Sequence, residues 1–189
     1  VPMRLTIGLN FPKKQGASIH RSCQALREEG LPVRWLEPDD FHVTMKFLGE
    51  IRRDQVASIE ERVAKVAAAT KSFTTEFGGF GAFPTIRRPE VLWLGVSANA
   101  ELRCLKQDLE WNLGDLGFGA ETRSFHPHVT LGRADGSGGA GVFRALDTVM
   151  AGLDYDAELK VHSVDIIRSR LTPEGTRYKV ISSSRLSAK

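Results

Sequence analysis

"DDFHVTMKFLGE", Asp39 to Glu50, sets one histidine and one threonine two residues apart inside an apolar run. "SFHPHVTLGRAD", Ser124 to Asp135, repeats the arrangement, with His128 and Thr130 in the same relation as His42 and Thr44. Residues two apart on a strand share a face and lie roughly 7 Å apart. His42 and Thr44 therefore take one face, while Phe41, Val43, Met45 and Phe47 take the other and go to the core. In the second copy Val129 and Leu131 turn inward, and His128 and Thr130 outward. Pro127 has no backbone donor, so regular pairing is expected only from His128 onward. A single His-x-Thr in a strand is ordinarily a polar face and nothing more. Two copies, each followed by an apolar residue and a glycine-containing turn, point to function.

The segments around the two motifs also repeat. "RLTIGLN" alternates as a strand, and Ile19, Cys23 and Leu26 then carry a helix that Gly30 ends. "VRWL" is a short extended segment before the first motif. Val56, Ile59, Val63 and Val66 carry the next helix, with Asp54 as its N-cap, and "SFTTEF" is a strand. "GGFGAFPTIRRPE" is expected to be a loop, and "VLWLGV" a strand. The order then starts over. Leu102, Leu105, Leu109 and Leu113 form a helical stripe ahead of the second motif, and "GRADGSGGAG" leads to a short helix with Phe143, Leu146 and Met150. Two last strands are expected within "ELKVHSVDIIRS" and "TRYKVISSS". Such a repeat predicts a duplicated α+β fold over residues 1–189: one domain of two lobes, with two mostly antiparallel sheets facing a central cleft and helices outside.

The 189 residues, 41% of them hydrophobic, are enough for one well-buried core. No stretch is apolar for the length of a bilayer, and the N-terminus lacks the order of a secretory signal, so a cytoplasmic location with no membrane partner is expected. Val1 and Pro2 before Met3 read as a remnant of processing or cloning, with Met3 the native start. Cys23 and Cys104 are each expected as small buried thiols on helices, not as a disulfide. The formal charge of +3 permits a polyanionic partner without requiring one.

Two imidazoles facing one groove suit phosphoryl chemistry in which one proton is removed and another supplied. An unperturbed histidine titrates at about 6.5, so near neutrality one can be neutral while the other is protonated. Each threonine hydroxyl can donate to a non-bridging phosphate oxygen. No metal or other cofactor is needed for this chemistry.

At these residues the sequence resembles the two-histidine phosphoesterase superfamily, and more closely the RNA 2′,3′-cyclic phosphodiesterases, historically called 2′-5′ RNA ligases. "MRLTIGLNFP", "VRWLEPDDFHVTMKFLGE", "FGAFPTIRRPEVLWLGV", "FHPHVTLGR" and "IIRSRLTPEGTRY" resemble that family in order and spacing, so the likeness covers nearly the whole chain. It implies a bilobal fold with both motifs in one cleft. It also implies an enzyme that opens an RNA 2′,3′-cyclic phosphate end to a 2′-phosphate, with His42 as proton donor and His128 as acceptor. Some members also join RNA ends without ATP to give a 2′-5′ linkage. The resemblance puts an arginine at Arg133 near the phosphate, although simple alternation turns Arg133 away from the His128 face unless the turn begins at Gly132.

Other substrates fit the same chemistry, namely 2′-5′ linked oligonucleotides or small cyclic phosphates. A third class of reading, an RNA-binding module with a vestigial site, is opposed by the intact motifs. His126 and His128 lack the surrounding cysteines or carboxylates of a metal site, and His20 and His162 read as ordinary surface or helix-face residues. Arg87, Arg88, Arg168, Arg170, Arg177 and Lys179 can attract an RNA backbone, although a solvated basic surface explains each of them singly. Phe80, Phe83 and Tyr178 are candidates for base stacking or for packing. The glycine-rich connection lacks the ending of a phosphate loop and reads as a flexible connector. A monomer is expected.

Overall fold

The computed structural model describes residues 1–188. In chain order the strands are β1 (Met3–Leu9), β2 (Val33–Trp35), β3 (Val43–Ile51), β4 (Phe73–Pro84), β5 (Pro89–Val96), β6 (His128–Ala134), β7 (Ala157–Val161), β8 (Ser163–Thr172) and β9 (Gly175–Arg185). The helices are α1 (Lys13–Ser22), α2 (Gln24–Glu28), α3 (Val56–Ala68), α4 (Ala100–Gly114) and α5 (Leu146–Ala151). Where two sheets were expected, hydrogen bonding joins the strands into one antiparallel sheet, in the order β7-β4-β5-β6-β3-β1-β8-β9, with β2 added to β6. The two motif strands meet at its middle through the single pair Val43 and Val129. At the far ends the sheet curls, so that Ser187, just past β9, bridges to Lys71, just before β4: the Ser72 amide donates to the Ser187 carbonyl at 2.9 Å and the Ser187 amide to the Thr70 carbonyl at 2.9 Å. Among the described residues no helix is long and apolar enough to cross a membrane.

The helices exchange sides. α4, which follows β5, packs beside α3 over β3, β8 and β9. α1 and α2, which follow β1, lie over the other half, where Ser18 Oγ is 2.7 Å from Tyr155 Oη and Leu26 joins Ala82, Leu92, Leu146 and Met150 in a second core cluster. Each half of the sheet thus depends on a helix from the other half for its cover. The helical stripes are buried as their spacing requires: Ile59, Val63 and Val66 on α3, and Leu102, Leu105, Leu109 and Leu113 on α4. Cys104 is exposed, because it lies off that leucine stripe, whereas Cys23 is buried.

Several local expectations are corrected. α3 is entered through a 3₁₀ turn, Arg53–Gln55, so Asp54 sits inside the turn instead of capping the helix. The Gln55 side-chain oxygen accepts from the Arg52 amide at 2.9 Å, which caps the 3₁₀ turn and not the helix. Cys23 breaks the first predicted helix into α1 and α2. The glycine-rich "GGFGAFP" continues β4 instead of forming a loop, with a register shift between Phe77 and Phe80 where Gly79 takes a φ of 79°. "ELKVHSVDIIRS" holds parts of two strands, β7 and β8, parted at His162 and paired at opposite ends of the sheet. Phe143 lies in the turn before α5.

The most consequential departure is in β3. Its register with β1 skips Met45 and later Leu48, so each is an extra bulged residue. A bulge inserts one residue and reverses the side-chain parity beyond it. Phe47 is consequently 50% exposed with the Arg4 guanidinium 4.9 Å from its ring centroid, and Lys46 is turned into the interior. Lys46 Nζ donates to Glu110 Oε2 at 2.7 Å and to the Gly119 carbonyl at 2.9 Å. Lys106 Nζ donates to Glu110 Oε1 at 2.8 Å and to the Met45 carbonyl at 2.6 Å, tying α4 to the bulge. Burial alone raises the Glu110 carboxyl, but the two ammonium groups outweigh it and hold the group below its ordinary value. Glu110→Ala would leave Lys46 buried without an anion, while Lys106 keeps Glu121 Oε2 at 3.2 Å, so the substitution is expected to lower stability by about 3 kcal/mol in urea denaturation.

Candidate active site

The Val43–Val129 pair decides the geometry of the site. In an antiparallel ladder, extending that register by one residue sets His42 beside Thr130 and Thr44 beside His128. The valines are fully buried on the helix side, so the two histidines and two threonines share the opposite face. Each histidine has the other motif's threonine as its cross-strand neighbour. Gly8, paired with Thr44, keeps the floor low: a Cβ there would lie 3.5 Å from His42 Cδ2 and 2.8 Å from Ile167 Cδ1.

His42 is 9% exposed, more covered than a strand's outward face suggests, and Tyr178 of β9 lies against it with ring centroids 4.7 Å apart. His42 Nδ1 is 2.9 Å from the Asp40 carbonyl, and His128 Nδ1 is 2.6 Å from the His126 carbonyl. A carbonyl only accepts, so each Nδ1 carries the proton and each Nε2 is left for other partners. Burial lowers the pKa of both imidazoles below 6.5. In each case the backbone hydrogen bond works in the opposite sense, and Arg133 lowers both further.

Arg133 belongs to this face. The register of β5 with β6 skips Leu131, so β6 bulges directly after Thr130, at the place where β3 bulges after Thr44. Parity reverses, Leu131 and Gly132 are both buried, and Arg133 returns to the His128 side. Phe47 is its counterpart in the first motif, five residues after the histidine. A cavity of about 680 Å³ opens beside the motifs, lined among others by Arg34, Trp35, Asp40, Arg133 and Tyr178.

The remaining candidates divide. Phe83 packs edge-on against His128 with centroids 5.2 Å apart, and Trp93 lies 5.0 Å from Phe83. Phe80 is half-buried and packs against both apolar clusters. Arg177 is held by Asp40, its Nε 2.7 Å from Oδ2, and Arg87 and Arg88 line a separate cavity of about 720 Å³ with Arg144. His20 lies against Phe41, and His162 is exposed between β7 and β8. His126 is exposed and sits 4.8 Å from Trp93 and 6.2 Å from His128, ring to ring.

Sequence reasoning missed Asp40 and Trp93. Asp40 is 3% exposed and carries no periodic signal, since its partners lie 137 and 138 residues away. Trp93 was read only as a strand residue, but it lies on Gly81, where a Cβ would come within 2.4 Å of the indole. A glycine opposite a tryptophan on a paired strand was the signal available.

The sequence model of the 2′-5′ RNA ligase superfamily matches residues 15–173. An RNA 2′,3′-cyclic phosphodiesterase of Aeropyrum pernix is 35% identical over 85% of this chain and 90% of its own length. One of Thermotoga maritima is 31% identical over 89% and 86%. Among solved structures, TT0787 of Thermus thermophilus superposes with a TM-score of 0.81 at 22% identity, covering 99% of this chain and 100% of that one. LigT of E. coli in complex with 3′-AMP gives 0.76 at 21%, covering 99% of both. At such identities the structures show a shared fold. The profile and the curated relatives, matched over most of their length, show that this chain belongs to the 2′-5′ RNA ligase superfamily.

Proposed function

We propose that the chain hydrolyses RNA ends carrying a 2′,3′-cyclic phosphate to 2′-phosphate ends, by acid and base catalysis between His42 and His128. The observation that carries the reading is the Val43–Val129 pairing, which crosses two His-x-Thr motifs on one open face. The curated relatives named above are enzymes of this activity. In the reaction, His128 Nε2 takes a proton from water as its oxygen bonds to phosphorus. The bond from phosphorus to the 3′ oxygen breaks, and His42 Nε2–H protonates that oxygen. Thr44, Thr130 and Arg133 donate to the non-bridging oxygens, where charge grows in the transition state. An RNA 5′ hydroxyl in place of water gives a 2′-5′ linkage by the same proton transfers, without ATP.

The donors at the site support metal-independent chemistry, because a guanidinium beside two imidazoles, one of them protonated, repels a cation. The same reading takes residues 1–189 as one duplicated domain of two lobes, working as a cytoplasmic monomer. Support for the duplication comes from the sheet, whose halves run outward from the central pair as β3-β1-β8-β9 and β6-β5-β4-β7. The exchanged helices argue against independent folding of either half.

The test is an RNA ending in a 2′,3′-cyclic phosphate, incubated with the pure protein in excess EDTA. Product analysis is expected to give a 2′-phosphate end at an undiminished rate. A 3′-phosphate product would reverse the bond assignment, and activity that returned only with a divalent metal would overturn the metal-free mechanism. Preference for a short 2′-5′ linked oligonucleotide over the cyclic end would change the substrate but keep the site.

A further inference from the structure

The two motifs are alike in sequence and in backbone, since each histidine's Nδ1 is bonded to the carbonyl of the residue two before it. That much cannot tell an acid from a base. The symmetry breaks at the side chain of this preceding residue, which is Asp40 in one motif and His126 in the other. Asp40 is 3% exposed, its Oδ2 accepts from Arg177 Nε at 2.7 Å and its Oδ1 from the Tyr178 amide at 3.0 Å. Those two residues of β9 bring the Tyr178 ring onto His42. His126, by contrast, is exposed, and its ring is wedged beside Phe83, Trp93 and His128.

Building on the proposed reaction, we infer that Asp40 and His126 are positioning residues that assign the proton roles: a buried carboxylate beside His42 favours its protonated form, as the acid needs, and an imidazole in the equivalent place beside His128 favours the neutral form, as the base needs. The charged and titratable groups around His42 are Asp40 from the 3₁₀ turn Pro38–Asp40, His128 and Arg133 from β6, and Arg177 and Tyr178 from β9. Asp40 is the anion among them, and Arg177 shares but does not remove its charge; Asp165 of β8, which pairs with Gly8 on the same face, has its two carboxylate oxygens taken up by Asn10 Nδ2 at 2.7 Å and Ser183 Oγ at 2.6 Å. Around His128 stand His126, Arg133 and His42, none of them anionic. The directions of the pKa contributions agree. Burial lowers both imidazoles first and the carbonyl bond raises both, so the two differ in the side-chain charge: that of Asp40 raises His42, while that of His126 lowers His128.

The roles predict opposite responses to two substitutions. Asp40→Asn keeps the shape and removes the charge, so the imidazole titration of His42, followed by NMR, should fall by about one pH unit while that of His128 stays in place. His126→Asp, at an exposed position, should raise the titration of His128 by a similar amount and leave that of His42 unmoved. In kcat/KM the alkaline limb moves down in the first variant and the acid limb moves up in the second. If Asp40 only anchored β9, its variant would lose activity with both titrations unmoved. That result, or a shift at the wrong histidine in either variant, would overturn the inference. If Asp40→Asn does not fold, the His126→Asp titration decides it. The NMR readout needs no turnover, so a wild-type protein inactive on cyclic phosphate ends would sink the functional reading and not be confused with either result.

Discussion

Alanine in place of His128 should reduce turnover of a 2′,3′-cyclic phosphate end by about 10² to 10⁴-fold, and alanine in place of His42 by a similar factor. Both imidazoles act on one transition state, so the double variant should be scarcely slower than the worse single one. A substrate whose leaving group departs without a proton separates their tasks. It should largely rescue His42→Ala and leave His128→Ala impaired. Equal rescue would cancel the acid and base assignment while leaving the two-histidine site intact. The pH profile carries a second test of the pair. Burial lowers the pKa of both groups in the free protein, so the bell of kcat/KM should centre below the ordinary imidazole value of 6.5. In the kcat profile a bound anionic phosphate favours both protonated forms, and the bell should move upward. Coincident profiles would mean that the phosphate does not sit against the imidazoles.

The groups that hold the phosphate come next in size. Thr44→Val and Thr130→Val each remove one hydroxyl at nearly constant shape, and Arg133→Ala removes a charged donor. Losing a preorganised donor costs about 10²-fold or more when it acts on charge formed in the transition state. That loss should fall in kcat and not in KM for the threonines, whose hydroxyls tighten on the oxygens as charge accumulates. Arg133 attracts the anion before reaction as well, so its removal should raise KM and lower kcat together. Steady-state kinetics on one oligonucleotide reads all three. Unchanged rates for both threonine variants would reduce Thr44 and Thr130 to polar strand residues.

Much of this site was legible in the chain because it is written at short range. His42 with Thr44, and His128 with Thr130, need only the two-residue period of a strand to share a face. The leucines of α4 and the valines of α3 need only a helical period to be buried. The resemblance of the motifs to a known family carried the order of the segments as well. The parity of Arg133 was not legible, because alternation along β6 turns it away from His128 and only the bulge at Leu131 brings it back. The same reasoning misplaced Phe47, which the bulge at Met45 turns outward as Lys46 turns inward.

The sequence by itself determined that two histidine-threonine strands exist, that each has an apolar side, and that helices stand between them. Local steric periods and side-chain hydrophobicity set these features without reference to distant residues. Tertiary structure alone decided that Val43 would pair with Val129, that both strands would bulge just after the threonine, and that Asp40 would meet Arg177 and Tyr178 across 137 and 138 residues. The physical reason is common to all three. A strand's register, its bulges and the partner of a buried carboxylate minimise the free energy of two segments together, so neither segment specifies them alone.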